Sequence, residues 1–307
     1  MTLVYGYPAS ARHITPPGHP ERVDRLDAVE QGLLGLGVTR RTAPLAAESD
    51  LLLCHPATYI ARIRAAEPTK GISQLDPDTW MSPGSFDAAS HAVGGACAAV
   101  DAVLKGEDSN AFVIARPPGH HAETATPMGF CLFGTVAIAA KHALLRLKRV
   151  AVIDFDVHHG NGTQDLLWNE SRALFIGSHQ MPLWPGTGER SERGAHHQIL
   201  NLPLVPGSDG ATMRTAFDAE AFPAIDAFKP ELILISAGFD AHEDDPLAGL
   251  NWVAEDYAWL TRRLCDLADK HAQGRVVSCL EGGYDLDALA ASVAAHAGVL
   301  QERSDGR

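Results

Sequence analysis

The chain alternates between short apolar runs rich in β-branched residues and longer segments whose apolar residues recur with a helical period. The short runs predict β-strands at Leu3–Tyr7, Phe112–Ala115, Val150–Phe155, Ala173–Gly177, Leu232–Ala237 and Val276–Leu280. The longer segments predict helices at Arg22–Leu36, Pro83–Leu104, Gly134–Leu147, Thr212–Phe228, Val253–His271 and Leu286–Leu300. Strands that alternate with helices favour an α/β fold, in which a central, mostly parallel sheet is covered by helices on both faces as a three-layer α/β/α sandwich.

The same pattern predicts a single domain. The chain has 307 residues, of which 46% are hydrophobic, and this is enough for one large core. No internal repeat or obvious linker interrupts residues 1–300, whereas residues 301–307, "QERSDGR", are predicted to be a polar C-terminal tail.

Polar clusters follow four of the predicted strands. They are "RPPGHHA" after the strand at 112–115, "DFDVHHG" at the end of the strand at 150–155, "AGFDAH" after the strand at 232–237 and "EGGYD" after the strand at 276–280. Open parallel sheets place their binding sites in the loops beyond the carboxyl ends of the strands. The four clusters are therefore the candidate functional residues.

Asp156 and His158 are two residues apart in an extended segment, so their side chains point to the same side. A carboxylate and an imidazole so placed can bind one metal ion, and Asp240 is the best third ligand. One imidazole and two carboxylates suit Zn²⁺, and Fe²⁺ or Co²⁺ would also be tolerated. The alternative is that Asp156 and His158 form an ordinary buried pair, or that Asp240 caps a helix.

The other two clusters carry groups that transfer or donate protons. His120 and His121 are imidazoles suited to proton transfer near neutral pH, and Asp154 and Asn161 are available to orient them. Tyr284 follows two glycines, and its phenol could donate to a developing oxyanion. The alternative interpretation is that the two histidines are exposed surface residues and that the tyrosine only packs in the core. Taken together, a metal, paired imidazoles and a phenol are the groups needed to attack an amide with an activated water.

The net charge and the cysteine content indicate which binding partners and which cellular compartment to expect. The formal net charge of −13 argues against direct binding to nucleic acid, although it would attract cationic substrates. Five scattered cysteines without a Cys-x-x-Cys pair favour a reducing compartment, and the N-terminus lacks the pattern of a secretory signal. No apolar run approaches the ~18 residues of a membrane span. We therefore expect a cytoplasmic protein with no membrane partner.

Several ordered motifs resemble those of the histone deacetylase superfamily, which has the arginase–deacetylase fold. They are "HITPPGHPERVDRL", "LDPDTWMSPGSFDAASHAVGGA", "RPPGHHAETATPMGFC", "VIDFDVHHGNGTQ", "PLWPGTGE", "ISAGFDAHEDDPLAGL" and "LEGGYDLDAL". The "HPER", "HHGNGTQ" and "EGGY" segments are most similar to the class II branch and its bacterial relatives, which include acetylpolyamine amidohydrolases. Asn161 stands where class I relatives have Asp, which also points to class II.

The resemblance implies a role for each candidate residue. Asp156, His158 and Asp240 would be the zinc ligands. His121 would act as general base and then general acid, while His120, paired with Asp154, would polarise the water. Tyr284 would bind the substrate carbonyl oxygen.

The resemblance also implies a pocket and a second ion. A narrow tunnel for an acyl-lysine-like chain would involve Gly129, Phe130, Trp184, Leu247 and Gly282, with Arg22 deeper, near an exit for acetate. A structural K⁺ would be bound by Asp154 and Ser178 and by the backbone carbonyls of Asp156, His158 and His179.

Substrate preference depends on the rim of this tunnel. Leu247 stands where the eukaryotic polyamine enzyme has Glu, and the segment 68–77 leaves little room for the dimerisation loop of bacterial polyamine enzymes. The acidic residues Glu243, Asp244 and Asp245 are expected to form a solvated loop. These features favour a broad deacylase acting on ε-acyl-lysine side chains or small acylated amines. An acetylpolyamine amidohydrolase, a hydrolase of another small amide, an arginase-like manganese enzyme and a non-catalytic binding module are the alternatives, and a homo-oligomer is left open.

Overall fold

The computed structural model describes residues 1–306, apart from the side chain of Ala9. Within this range the strands are β1 (Leu3–Gly6), β2 (Thr39–Thr42), β3 (Ser73–Gln74), β4 (Trp80–Met81), β5 (Asn110–Ile114), β6 (Val150–Asp154), β7 (Ala173–Gln180), β8 (Ile199–Leu204), β9 (Ile233–Ala237) and β10 (Val276–Leu280). Eight of them form one sheet in the order β2-β1-β5-β10-β9-β6-β7-β8, and each neighbouring pair is parallel. β3 and β4 form a separate antiparallel pair.

Helices cover both faces of the large sheet. They are α1 (Asp24–Gly32), α2 (Glu48–Leu51), α3 (Ala57–Ala66), α4 (Ser85–Lys105), α5 (Thr135–Ala143), α6 (Asn161–Leu167), α7 (Gly210–Ala216), α8 (Phe222–Phe228), α9 (Ala254–His271) and α10 (Leu286–Asp305). A 3₁₀ turn spans Pro8–Arg12, and a π-helical turn at Phe217–Ala221 joins α7 to α8.

Two apolar cores lie on opposite faces of the sheet, because successive side chains of a strand point to opposite faces. In β5, Ala111 and Val113 pack into the core formed with α3, α4 and α5. Phe112 and Ile114 pack into the core formed with α1, α9 and α10. The predicted three-layer α/β/α fold with a parallel central sheet is confirmed.

The structure corrects the predicted tail. Residues 301–305 belong to α10, which continues to Asp305, so they are not a polar tail. Ser304 is buried and donates a hydrogen bond to Asp108, and Arg303 forms ion pairs with Asp266 and Asp269 on α9. These contacts extend the helix beyond its last apolar residue. Residue 307 lies outside the described residues.

No helix within residues 1–306 combines the length and apolar character needed to cross a membrane.

Candidate active site

The strand order brings the four polar clusters together. β5, β10, β9 and β6 are consecutive neighbours at the centre of the sheet, and each is followed by one of the clusters. Because the strands are parallel, their carboxyl ends lie on the same edge of the sheet. The loops that leave these strands therefore meet above the middle of the sheet.

Asp156, His158 and Asp240 converge in these loops, as the sequence predicted. One ligand atom from each lies within 4.8 Å of the other two, and His158 Nδ1 is 3.2 Å from Asp156 Oδ1 and 3.1 Å from Asp240 Oδ2. Both carboxylates are buried, and backbone N–H groups of Val157 and Gly282 donate to them. Two buried carboxylates beside one imidazole suit a divalent cation.

Two positions next to these carboxylates must be glycine, because the backbone there passes very close to the carboxylate oxygens. A Cβ at Gly238 would lie 2.1 Å from Asp156 Oδ2, and a Cβ at Gly282 would lie 2.3 Å from Asp240 Oδ2. Neither position leaves space for a side chain. Gly282, which was predicted to form part of the pocket, instead supports the carboxylates from behind and is not among the residues that line the cavity.

The charges in this group of residues are strongly coupled. Burial, and then the charge of Asp156, raises the pKa of Asp240 to about 7. Burial alone would lower the pKa of His158, but hydrogen bonds to Asp156 and Asp240 outweigh it and raise that pKa to about 10. The carboxylates that raise the pKa of His158 are charges that a bound cation would neutralise, and binding of the cation would displace the His158 proton.

His120 and His121 are both buried beside this group, and their rings are 3.9 Å apart. His120 Nδ1 lies 3.0 Å from Asp154 Oδ2, and His121 Nδ1 lies 2.8 Å from Asn161 Oδ1. The two orienting partners are the ones proposed from the sequence. Each imidazole is thus held through Nδ1, and His120 Nε2 lies 3.7 Å from Asp156 Oδ2.

The two imidazoles differ in their affinity for a proton. Burial opposes the charged form of both, but the carboxylates of Asp156 and Asp154 outweigh it for His120 and raise its pKa well above the usual value. For His121, burial together with the positive charges of His120 and His158 holds the pKa well below the usual value. His120 therefore favours the imidazolium form and His121 the neutral form.

Glu281 was not singled out in the sequence, yet it connects two of the loops. Its Oε2 accepts hydrogen bonds from the backbone N–H of Gly119 at 2.7 Å and of His120 at 3.1 Å, and Ser236 donates to Oε1. The residue follows β10 directly, so it fixes the tandem histidines relative to the sheet. The only sequence signal was its position in "EGGYD".

Arg22 does not reach the site, which corrects the prediction. Its side chain precedes α1, is 50% exposed and forms an ion pair with Asp24. Arg25, within α1, is fully buried instead: it donates to the backbone carbonyls of Gly283 and Glu281, and its guanidinium carbon lies 5.0 Å from the centre of the Tyr284 ring. Arg22 lies before the first residue of α1, whereas Arg25 lies on the buried face of α1 together with Ala28 and Val29.

A pocket of about 190 Å³ opens above His121 and His158. It is lined by Asp78, His121, Gly129, Phe130, His158, Leu183, Trp184, Leu247 and Tyr284. Four predicted pocket residues are therefore in place, and Asp78 and Leu183 are additional. Asp78 accepts a hydrogen bond from the backbone N–H of Gly129, which orders the loop that carries Phe130.

The wall of the pocket requires an unusual backbone at Gly129 and Phe130, both of which have positive φ, +55° and +69°. A Cβ at Gly129 would lie 2.4 Å from the His121 ring and 2.6 Å from Trp184. The Trp184 ring lies 4.7 Å from that of His121 and is 41% exposed, so it forms the outer rim.

Tyr284 is held in place by an acidic residue that the sequence analysis treated as solvated. Asp245 is buried and accepts hydrogen bonds from the backbone N–H of Tyr284 at 2.7 Å and of Leu247 at 3.0 Å. Glu243 and Asp244 are exposed, so the expectation of a solvated loop is wrong for Asp245 alone. The sequence alone does not show which residue of an acidic run is buried and accepts hydrogen bonds from the backbone.

A buried hydroxyl on the strand next to that of Asp154 is compatible with the predicted K⁺ site. Ser178 Oγ is buried and has no hydrogen-bond partner among the described residues. Asp154 lies on β6 and Ser178 on the neighbouring strand β7. The Ser178 hydroxyl is one of seven such hydroxyls among the described residues, and a cation bound by its oxygen would satisfy it.

Comparisons with known proteins bear on this site. A sequence profile described as "Histone deacetylase domain" matches residues 19–300. The chain is 43% identical over 291 residues to an uncharacterized protein of Synechocystis, covering 92% of this chain and 93% of that protein. It is 40% identical to a probable deacetylase of Archaeoglobus fulgidus (90% and 79% covered) and 39% identical to a histone deacetylase-like amidohydrolase of Pseudomonas aeruginosa (90% and 74% covered). Among solved structures, the "HDA15 HD domain" superposes with a TM-score of 0.92 at 31% identity, covering 98% of this chain and 89% of that one.

Proposed function

The chain belongs to the histone deacetylase family, and from that premise we propose that it is a zinc-dependent amidohydrolase that removes acetyl or other short acyl groups from amines. The observation that carries this proposal is the convergence of Asp156, His158 and Asp240 beside two oriented imidazoles at the inner end of a narrow pocket.

The proposed zinc ligands are Asp156, His158 and Asp240. Three protein ligands leave a coordination position open, which is typical of catalytic zinc sites. When bound there, zinc would supply Lewis acidity toward water and the amide carbonyl. The same ligand set would accept Fe²⁺.

His121 is the proposed general base. Its neutral form has a free Nε2 that can accept a proton from water, because Nδ1 is engaged with Asn161. The same nitrogen then returns the proton to the amine that leaves. His120, whose proton is shared with Asp154, keeps a positive charge beside the reacting groups and stabilises negative charge that develops there.

Tyr284 is the proposed donor to the carbonyl oxygen. Burial, followed by the charges of Asp240 and Asp156, raises the pKa of its phenol well above the usual value. The phenol therefore keeps its proton and can donate a hydrogen bond as the oxygen gains charge. The phenol ring is supported by Arg25, and the backbone before it by Asp245.

A K⁺ ion bound by Asp154, Ser178 and the carbonyls of Asp156, His158 and His179 belongs to the same proposal. It is supported by the unpaired Ser178 hydroxyl. Because Asp154 also orients His120, a cation at this place would restrain that carboxylate.

The proposed substrates are ε-acyl-lysine side chains or small acylated amines. Phe130, Trp184 and Leu247 give the pocket apolar walls that suit an aliphatic chain. Leu247 offers no charge to a distant ammonium, which disfavours strict selectivity for acetylpolyamines. Those remain the second candidate, since Asp78 lines the same pocket and carries a carboxylate.

A substrate panel tests the proposal. Purified protein would be assayed with acetyl-lysine peptides, acetylputrescine, acetylspermidine and longer acyl-lysines, measuring kcat/KM for each. We expect acetyl-lysine peptides to be hydrolysed at least as well as the polyamines. A preference of a hundredfold or more for an acetylpolyamine would replace the first candidate by the second.

A further inference from the structure

A second group of possible metal ligands lies among the helices, away from the catalytic loops. It consists of Asp50 on α2, Cys97 and Asp101 on α4, and His142 on α5, and is called the helix cluster below. His142 is in the last turn of α5, roughly 10 Å along the helix from its start beside the catalytic loops. Nothing in the proposed deacylase mechanism uses these residues.

Three different donor types meet in the helix cluster. His142 Nδ1 lies 3.0 Å from Asp50 Oδ1, and Cys97 Sγ lies within 4.8 Å of both atoms. Ligand atoms around a tetrahedral zinc ion are about 3.5 Å apart, as follows from bond lengths of roughly 2.0–2.3 Å. Small side-chain rotations would bring the thiol to that distance. A thiolate, an imidazole and a carboxylate together select a zinc-like ion over Mg²⁺ or Ca²⁺.

Asp101 gives the cluster a second feature of metal sites. A histidine that binds a metal through one ring nitrogen usually donates the other N–H to a carboxylate. Here Asp101 Oδ1 lies 2.9 Å from His142 Nε2, on the side of the ring opposite Asp50. Arg146 Nη2 also bonds to Asp101 Oδ1 and lies 3.0 Å from His142 Nε2, so the arginine shares this carboxylate with the imidazole.

Cys97 distinguishes a metal site from a simple ion pair, because its sulfur is the one donor of the cluster that an ion pair would not use. A protonated His142 between Asp50 and Asp101 would account for those three side chains alone. The Cys97 thiol is only 5% exposed, and it forms no hydrogen bond with any residue in the part of the chain that the structure describes. A metal ion between Asp50 and His142 would give this sulfur a partner.

We propose that the helix cluster is a binding site for a divalent transition-metal ion of the zinc type. Its ligands are Asp50, Cys97 and His142, with Asp101 orienting the imidazole. The metal would link α2, α4 and α5, and its partly exposed carboxylates give it access from solvent.

Cobalt substitution tests this proposal independently of catalysis. The protein would be stripped of metal with a chelator and titrated with Co²⁺. A thiolate ligand produces a charge-transfer band in the near ultraviolet, whereas the proposed active site has no cysteine ligand and gives only weak visible bands. We expect the near-ultraviolet band to appear in the wild type and in Asp240→Ala, and to be absent in Cys97→Ala.

Cys54→Ala is the matched control, because Cys54 is another buried thiol in the same layer of helices. It should keep the band, and both cysteine variants should keep the wild-type rate of acyl-lysine hydrolysis. No band in the wild type at saturating Co²⁺, or a band that persists in Cys97→Ala, would overturn the proposal.

Asp101→Asn separates the metal site from a purely structural ion pair and avoids removing a ligand. Loss of such an orienting carboxylate typically weakens metal affinity by roughly 10–100-fold. We expect the near-ultraviolet band to survive in Asp101→Asn but to need that much more Co²⁺ to saturate. Unchanged saturation in this variant would contradict the role given to Asp101 and His142.

Discussion

Tyr284 shows how a single side chain is made ready for its proposed role. Its phenol lies against Phe130 and Arg25, at ring distances of 5.8 and 5.0 Å, and lines the pocket beside His121. These contacts restrict the ring, so the hydroxyl group does not have to be ordered when the substrate arrives. Such preorganised donors are effective because their orientation is fixed before charge develops.

Tyr284→Phe should lower kcat for acetyl-lysine hydrolysis by roughly 10²–10³-fold, the loss typical of one oxyanion donor. The ring remains, so packing and substrate binding should change little. A trifluoroacetyl-lysine substrate should suffer less, because its intermediate needs less stabilisation. Equal kcat values for the two proteins with acetyl-lysine would assign the oxyanion role to another group.

The tandem imidazoles provide a second prediction at this scale. His121→Ala should leave the metal bound and reduce kcat by ~10²–10⁴-fold, the usual contribution of a general acid–base group. His120→Ala should have a smaller effect, since its proposed role is to hold charge. Measured metal content serves as the control. If His120→Ala proved the more damaging change, the two roles would have to be exchanged.

For single residues, the sequence predicted the candidate metal ligands better than it predicted the buried residues that support them. The alternation of Asp156 and His158 is a local signal, and the structure brings both together with Asp240. Burial is not local: Arg22 and Arg25 belong to one motif, and only packing of α1 against the Tyr284 loop distinguishes them. Glu281 was missed for the same reason, because its partners lie 161 and 162 positions away along the chain.

Between elements, Glu281 links the loop after β10 to the loop after β5. Burial raises the pKa of Glu281 to about 7, so above that pH Glu281→Gln keeps an acceptor oxygen but loses the charge that strengthens the hydrogen bonds to Gly119 and His120. We expect kcat to fall about tenfold, equivalent to ~1.4 kcal/mol, with KM and metal content unchanged. Ser236→Ala, which removes only the weaker contact to Oε1, is the control and should have a smaller effect. Loss of bound metal in Glu281→Gln would point to a different role.

His296 joins three elements in the core below the sheet. It lies on α10 and forms hydrogen bonds with Thr261 on α9 at 2.7 Å and Ser278 on β10 at 2.9 Å. Complete burial lowers the pKa of His296 to about 3. In the unfolded chain the ordinary value is about 6.5, so between these pH values the unfolded state binds one more proton.

This difference predicts loss of stability in acid. As the pH falls from about 6.5 toward 3, His296 should reduce the free energy of unfolding by ~1.4 kcal/mol per pH unit. His296→Gln cannot titrate and should therefore show a shallower decline. Urea unfolding of both proteins at several pH values measures the two slopes. Equal slopes would mean that His296 is not kept neutral in the folded state.

The central strands were the most predictable elements, whereas β8 was missed although four of its six residues are buried. β5, β6, β9 and β10 lie in the middle of the sheet, and their continuous apolar runs identified them in the sequence. β2, "TRRT", was missed because it is an edge strand with exposed charged residues, a pattern that protects sheet edges from aggregation. The helix predicted at 212–228 is interrupted by the π-helical turn, which the apolar period does not reveal.

At the scale of the whole molecule, the net charge of −13 should influence how substrates arrive. A negative surface raises the local concentration of cations, and salt screens this attraction as the Debye length falls from ~30 Å at 0.01 M to ~8 Å at 0.15 M. We expect kcat/KM for acetylspermidine to decline with added salt, and that for an uncharged acetyl-lysine derivative to stay constant. A parallel response of both substrates would exclude steering by charge.

The central claim is that hydrolysis depends on a metal held by Asp156, His158 and Asp240. The most direct measurement is acetyl-lysine hydrolysis by protein that has been stripped with a chelator and titrated with Zn²⁺. The wild type and Asp244→Asn, whose exposed carboxylate lies in the same loop, should both recover activity as zinc is added. Asp240→Ala should remain inactive at every zinc concentration. Full activity in the stripped wild type, or recovery in Asp240→Ala equal to that of Asp244→Asn, would contradict the account.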